Sequence, residues 1–396
     1  MSFITMIIIA KVFGKELFGD FSYAITVGGY CITIANCGLE RTLIRDLVHF
    51  PKRFDEYASA SILLRGSMLT LALVGIFGVN ALVAEENQLR FGGILIVLTM
   101  GIKAFNLAAI YDAWDNMKRS AVYLLSERSL YFICIWTFIL FFEESLSITA
   151  ISIFMFISVI LGLSLQYRWA LPQLNLRMDQ KANLLAVVML KKNLWVWSAI
   201  IATLSFGGLS KIVLKHISGS GELGEYSVAW LVVLLGMILI TQVGRVGNPR
   251  IARIVKPGVS PTRRIRFLLQ YTALSAMAGT VIGLPAIFFS TQIMQIFPPE
   301  YASAASSMRI LGFYVIAIGI GQVATQYLVA VRKERVYFII VFLTGGLSVV
   351  LFYLLIPQWM ATGAALAVLL AHGTAIFLNW IVMIRHLLFS NEEIQV

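Results

Sequence analysis

Long apolar runs follow one another through almost the whole chain, and this single feature excludes most folds. They fall at about residues 2–13, 20–39, 58–84, 90–111, 121–142, 147–167, 195–215, 226–244, 267–297, 302–330, 336–356 and 361–384. A bilayer-crossing helix needs about 20 predominantly apolar residues. At about 25 residues per crossing with its turn, 396 residues hold roughly 12 crossings and little else. Charged residues make up 13% of the chain, about half the share in soluble domains. A water-soluble protein with a large catalytic domain is excluded; the expected class is an all-α polytopic membrane protein. The first run is too short to cross about 30 Å of hydrocarbon. It therefore reads as an incomplete first helix, with an interfacial segment as the alternative.

The net charge of +11 would suit nucleic acid, but its distribution points to orientation in a membrane. Of the 31 Lys and Arg, 22 lie in the loops after even-numbered runs or in the tail, four adjoin the other loops, and five lie within runs. Basic loops stay cytoplasmic, which places the even loops and both termini in the cytoplasm. The opposite loops are short and acidic, as at Glu85-Glu86, Glu143-Glu144 and Pro298-Pro299-Glu300. The longest polar interruption lies midway along the chain. There, Leu184, Leu185, Val188 and Met189 recur at helical spacing beside Lys181, Lys191 and Lys192, which predicts an amphipathic cytoplasmic helix or a solvated linker. The expected organisation is an N-terminal bundle at 1–171, a linker at 172–194 and a C-terminal bundle at 195–396.

The halves resemble one another at a shift of 205. KELFGDFSYAITV (15–27) aligns with SGELGEYSVAWLV (220–232), with identities at Gly19/Gly224, Ser22/Ser227, Ala24/Ala229 and Val27/Val232. Arg45 and Arg250 pair at the same shift, and RSAVYL (119–124) echoes KERVYF (333–338). Six runs per half make these parallel repeats, and two six-helix bundles of this kind enclose a central cavity suited to alternating access.

The segment GKELFGDFSYAITVGGYCITIANCGLERTLIRDL resembles the first-turn and second-helix signature of Wzx-type polysaccharide flippases. These belong to the multidrug/oligosaccharidyl-lipid/polysaccharide exporter superfamily. The pattern is a glycine-bounded turn, Gly14 to Gly19, then Phe21-Ser22, and a helix ending in Gly38-Leu39 with Arg41 and Arg45. The resemblance implies a flippase moving an undecaprenyl-diphosphate-linked oligosaccharide to the outer leaflet of a bacterial inner membrane. Its products would be O-antigen of lipopolysaccharide, capsule or exopolysaccharide, and its partners the lipid-linked glycan, membrane lipids and polysaccharide polymerase machinery. No cofactor or nucleic acid is implied.

Such a substrate needs cations in a polar cavity, because a lipid-facing charge is costly. Arg65, Lys103 and Arg309 lie deep in their runs and are the expected substrate-binding cations, with bundle-locking charges as the alternative. Asn36 is added as a bonding partner for sugar. Glu127 is the candidate for ion coupling, since an intramembrane carboxylate suits proton or sodium exchange; Asp112 and Asp115 stand behind it. Arg41, Arg45 and Arg250 are candidate cytoplasmic gate residues. No nucleophilic triad, phosphate loop or metal-ligand spacing occurs, and His49, His216, His372 and His386 are scattered. The chain is thus expected not to be an enzyme. A drug or cation exporter of the same superfamily, or a membrane-embedded polysaccharide polymerase or ligase, are the competing readings.

Overall fold

The computed structural model describes residues 2–83, 88–141, 147–255, 259–331 and 333–389, and it is helical almost throughout. Glu85-Glu86 and Glu143-Glu144 lie outside the described residues. Among the described residues, nine stretches are long and apolar enough to cross a membrane. Three of them contain a break: Phe3–Asn36 at Gly14, Trp197–Gly247 at Gly219, and Glu334–Leu388 at Met360. Counting the last two as two passes each gives eleven among the described residues, and the segment before Gly14 stays too short to cross, as expected from the first run.

The breaks follow from backbone geometry. Gly14 and Gly219 have φ of +71° and +86°, in a region that glycine enters without steric cost. They occupy the same position in the repeat, 205 residues apart. The sequence suggested a turn running from Gly14 to Gly19; the structure reduces it to Gly14 alone. Helix α1 (Ser2–Asn36) resumes at once beyond it. Met360, with φ of +47°, breaks α14 (Glu334–Phe389) three residues after Pro357.

The chain divides into two compact units. The first holds the chain up to Phe13 and Asp20–Leu204; the second holds Gly14–Gly19 and everything from Ser205 onward.

In the first unit, α2 (Leu39–His49), α3 (Phe54–Leu82), α4 (Phe91–Ile102), α5 (Ala108–Ala113), α6 (Met117–Phe141), α7 (Ile148–Ala170) and α8 (Gln180–Leu204) follow α1. Of the stretch 172–194, expected as an amphipathic helix or a linker, residues 180–194 form the first part of α8. Leu185 and Met189 are buried in one cluster with Tyr57, Leu64 and Met68 of α3. Leu184 and Val188, placed on the same stripe from spacing alone, are exposed.

The second unit contains α9 (Ser210–Ala229), α10 (Leu231–Ile254), α11 (Pro261–Phe288), α12 (Ser290–Met294), α13 (Ala304–Ala330) and α14. Helices α11 and α13 cross closely because a Cβ on Gly283 would lie 2.6 Å from the Gly312 carbonyl oxygen, and one on Gly319 2.6 Å from that of Ser275. Small residues serve this purpose where no hydrophobic effect drives association. Pro285 falls in the last turn of α11, so it shapes the end of that helix rather than its middle.

Residues 15–19 join this unit by a reciprocal contact. A Cβ on Gly19 would lie 1.8 Å from the Ser220 carbonyl oxygen, and one on Gly224 1.9 Å from that of Lys15. Each partner is the other's repeat equivalent, so the duplicated motif crosses itself about a local twofold.

Candidate transport site

The span Phe91–Ala113 is not one helix. α4 stops at Ile102, a 3-10 turn covers Lys103–Phe105, and α5 restarts at Ala108. Asn106 makes the break local. Its Nδ2 donates to the Lys103 carbonyl at 3.0 Å, and its Oδ1 accepts from the Ala108 N–H at 3.2 Å. Short polar side chains compete with the helical ladder in this way. Backbone groups released inside hydrocarbon must find new partners, and here several do. The Leu107 N–H donates to Gln166 Oε1 at 2.9 Å, and the Tyr167 hydroxyl donates to the Phe105 carbonyl at 3.2 Å. Arg65 Nη1 donates to the Asn106 carbonyl at 2.8 Å. On α7, the Gln166 carbonyl accepts from the Tyr111 hydroxyl at 2.6 Å.

The break borders a cavity of about 360 Å³ inside the first unit, lined by Lys103, Asn106, Asp112, Tyr123 and Glu127 and by apolar side chains of Ile32, Ile44, Ala108, Ala109 and Leu124. Lys103 Nζ donates to Glu127 Oε1 at 2.5 Å. Glu127 is 6% exposed, whereas the Lys103 side chain is 31% exposed. Two carboxylates, Glu127 and Asp112, thus share the wall with one ammonium. An aqueous-sized space lined by paired charge, an amide and a phenol can hold a polar group that the bilayer excludes.

The structure sorts the residues singled out from the sequence. Lys103 and Glu127, given separate roles, are partners. Arg65 is 1% exposed and donates to the Asn106 carbonyl, and it is not among the residues lining that cavity. Asn36 is buried at the end of α1, before the left-handed pair Cys37 and Gly38. Arg309, in the second unit, is exposed and donates from Nη2 to Ser290 Oγ at 3.4 Å. Arg45 is exposed and pairs with its neighbour Asp46 at 3.2 Å. Arg250 is exposed near the end of α10, and the Arg41 side chain lies outside the described residues. The sequence reading passed over Gln166, which is fully buried. Its signal was available: an amide inside an apolar run needs a partner.

A broken span of this kind, bordering charged and polar side chains in a multi-pass helical protein, is a recurrent feature of membrane transporters. The chain is a member of the polysaccharide biosynthesis protein family, whose model matches residues 1–255. It is 21% identical over 388 residues to the capsular polysaccharide biosynthesis protein CapF of Staphylococcus aureus, covering 94% of this chain and 92% of that one. The lipid II flippase MurJ, in an inward closed conformation, aligns with a TM-score of 0.73 at 15% identity, over 98% of this chain and 84% of that one. An inward-facing multidrug transporter of the MATE family and MOP superfamily aligns with a TM-score of 0.69 at 12% identity, over 97% and 98% of the two chains. At these identities the two solved structures show that the chain shares their fold.

Proposed function

We propose that this chain moves an undecaprenyl-diphosphate-linked oligosaccharide from the cytoplasmic to the outer leaflet of a bacterial inner membrane, with both termini cytoplasmic. Its product would feed capsule, O-antigen or exopolysaccharide assembly through a polymerase. The observation that carries the reading is the broken span at Lys103–Asn106 bordering a cavity that holds the Lys103–Glu127 pair, since discontinuous helices mark substrate sites in transporters. Lys103 supplies a cation for a diphosphate, while Asn106, Tyr123 and Asp112 supply partners for sugar hydroxyls. The role of CapF in capsular polysaccharide biosynthesis and that of MurJ as a lipid II flippase support a substrate of this kind.

The test is a deletion strain complemented with wild type or Lys103→Met. Wild type should restore surface polysaccharide; the variant, expressed equally, should leave lipid-linked precursor accumulating inside. Normal surface polysaccharide with the variant would remove Lys103 from the site. One observation favours a second reading, export of a cationic compound: two carboxylates share the cavity with one ammonium. Deletion that spares surface polysaccharide but sensitises cells to cationic dyes would decide for it.

A further inference from the structure

The second unit carries a titratable cluster that the cavity at Lys103 does not use. Before α9 the helix widens into a π turn, Ser205–Leu209, a distortion that recurs at functional sites. Phe206 of this turn is 2% exposed. Its ring stacks on the His372 imidazole of α14, with centroids 4.6 Å apart and planes 6° from parallel. His372 Nδ1 lies 2.8 Å from the Tyr314 hydroxyl of α13. Tyr314 packs on Trp230 at 5.8 Å, and Lys211 Nζ sits 5.7 Å from the Trp230 ring centre.

Among the described residues, no carboxylate pairs with His372. The π turn offers no titratable side chain. α9 brings Lys211 and Tyr226, with Lys215 and His216 a turn further along, and Tyr226 is engaged with Ser210 at 3.2 Å. α13 brings Tyr314 itself, and its Arg309 is held by Ser290. The carboxylates of α9 are committed elsewhere: Glu225 to Lys15 and Glu222 to the Ala361 N–H.

An imidazole placed this way can bind a proton reversibly. Neutral His372 accepts at Nδ1 from the Tyr314 hydroxyl. An incoming proton forms an Nδ1–H bond, Nδ1 then donates, and the Tyr314 oxygen accepts. The Phe206 face favours the imidazolium. Glu127, by contrast, already holds an internal cation in Lys103.

We propose that His372 is the proton-binding residue that couples this transporter to a pH gradient, with the Ser205–Leu209 turn as the element its protonation moves. The proposal rests on the chain being a transporter, but its first test needs no substrate. The full chain, labelled with 15N-histidine in lipid nanodiscs, is titrated by NMR, and the His372 signal is identified by its loss in His372→Gln. Its signal should move between the neutral and protonated imidazole positions as pH is varied, and Phe206→Leu should weaken proton affinity about two- to fivefold by removing the aromatic face. A His372 signal that does not titrate, or a midpoint unmoved by Phe206→Leu, overturns the proposal.

In vesicles loaded with lipid-linked glycan, an imposed pH gradient should accelerate translocation by wild type. It should do so equally in His386→Gln, whose imidazole makes a comparable bond to Tyr327 at 2.9 Å, and the acceleration should be lost in His372→Gln. Acceleration that persists in His372→Gln, or disappears in both variants, overturns the proposal. Wild-type vesicles that move no glycan under any gradient would refute the substrate reading instead, and the NMR titration would still judge His372.

Discussion

Lys103 and Glu127 are stable where they are only as a pair. Removing one partner of a fully buried pair costs about 3–5 kcal/mol, and the solvent that reaches Lys103 lowers this to about 2–3 kcal/mol. Lys103→Met should therefore lower the melting temperature in nanodiscs, and Lys103→Met/Glu127→Leu should regain most of it while leaving transport lost. A double variant as unstable as the single one would show that the pair does not dominate the site. Arg65 makes a different demand. Arg65→Ala removes the donor to the Asn106 carbonyl, so the yield of folded protein by fluorescence-detected size exclusion should fall sharply. Arg65→Lys should recover part of it, since a single donor can reach one carbonyl. A well-folded Arg65→Ala that fails only in transport would return Arg65 to the substrate. Both residues were legible in the sequence, because a charge deep in an apolar run is rarely idle. Their assignments were not. Glu127 lies 24 positions from Lys103 on another helix, and nothing local tells which face of each helix meets the other.

Helix breaks are the devices that arrange these side chains, and carboxylates finish them. After Gly14 the helix restarts at Lys15, whose N–H donates to Glu300 Oε1 at 3.1 Å. After Met360 it restarts at Ala361, whose N–H donates to Glu222 Oε2 at 3.2 Å. Both place an anion at a new helix N-terminus, where orphan amides and the helix dipole favour it. Glu225 completes the group, accepting from Lys15 Nζ at 3.1 Å and from Ser303 Oγ at 2.5 Å. Burial, with Glu300 and Glu225 nearby, pushes the neighbouring Tyr301 phenol above its ordinary pKa. The Gly19–Gly224 crossing should tolerate no side chain. Gly224→Val would drive its Cβ into a backbone carbonyl that cannot rotate away. Its cost should exceed the roughly 1–3 kcal/mol of ordinary overpacking, read as lost folded yield. Near-normal yield would mean that the crossing opens without penalty. The repeat made these glycines visible in the sequence, whereas their mutual contact depends on how two distant segments cross.

At the scale of the molecule, membrane orientation is the property most open to test. Single cysteines at Pro299, Glu86 or Glu144 should react with an impermeant external reagent, and those at Lys52, Lys181 or Lys333 should not. The reverse pattern would overturn the orientation expected from loop charge. The amphipathic start of α8 gives a second check. Leu184 and Val188 are exposed beside Lys181, Lys191 and Lys192, so Leu184→Asp should weaken interfacial anchoring while sparing the core face at Leu185 and Met189. Loss of folded protein instead would show that Leu184 packs inward.

The sequence by itself determined the class, the succession of long apolar helices and the duplicated turn. Hydrocarbon thickness acts on contiguous stretches of chain, and a repeated motif is visible without knowing where it lands. Only the tertiary structure decided that the turn is one residue wide and that 180–194 is the head of a long helix. It alone placed Arg65 at a break that Asn106 creates, and set Phe206 against His372, 166 positions away. In lipid, helices associate through close packing and occasional polar contacts rather than a hydrophobic stripe. A uniformly apolar run therefore carries little information about which of its faces will meet a neighbour, and the chemistry of this protein lies on those faces.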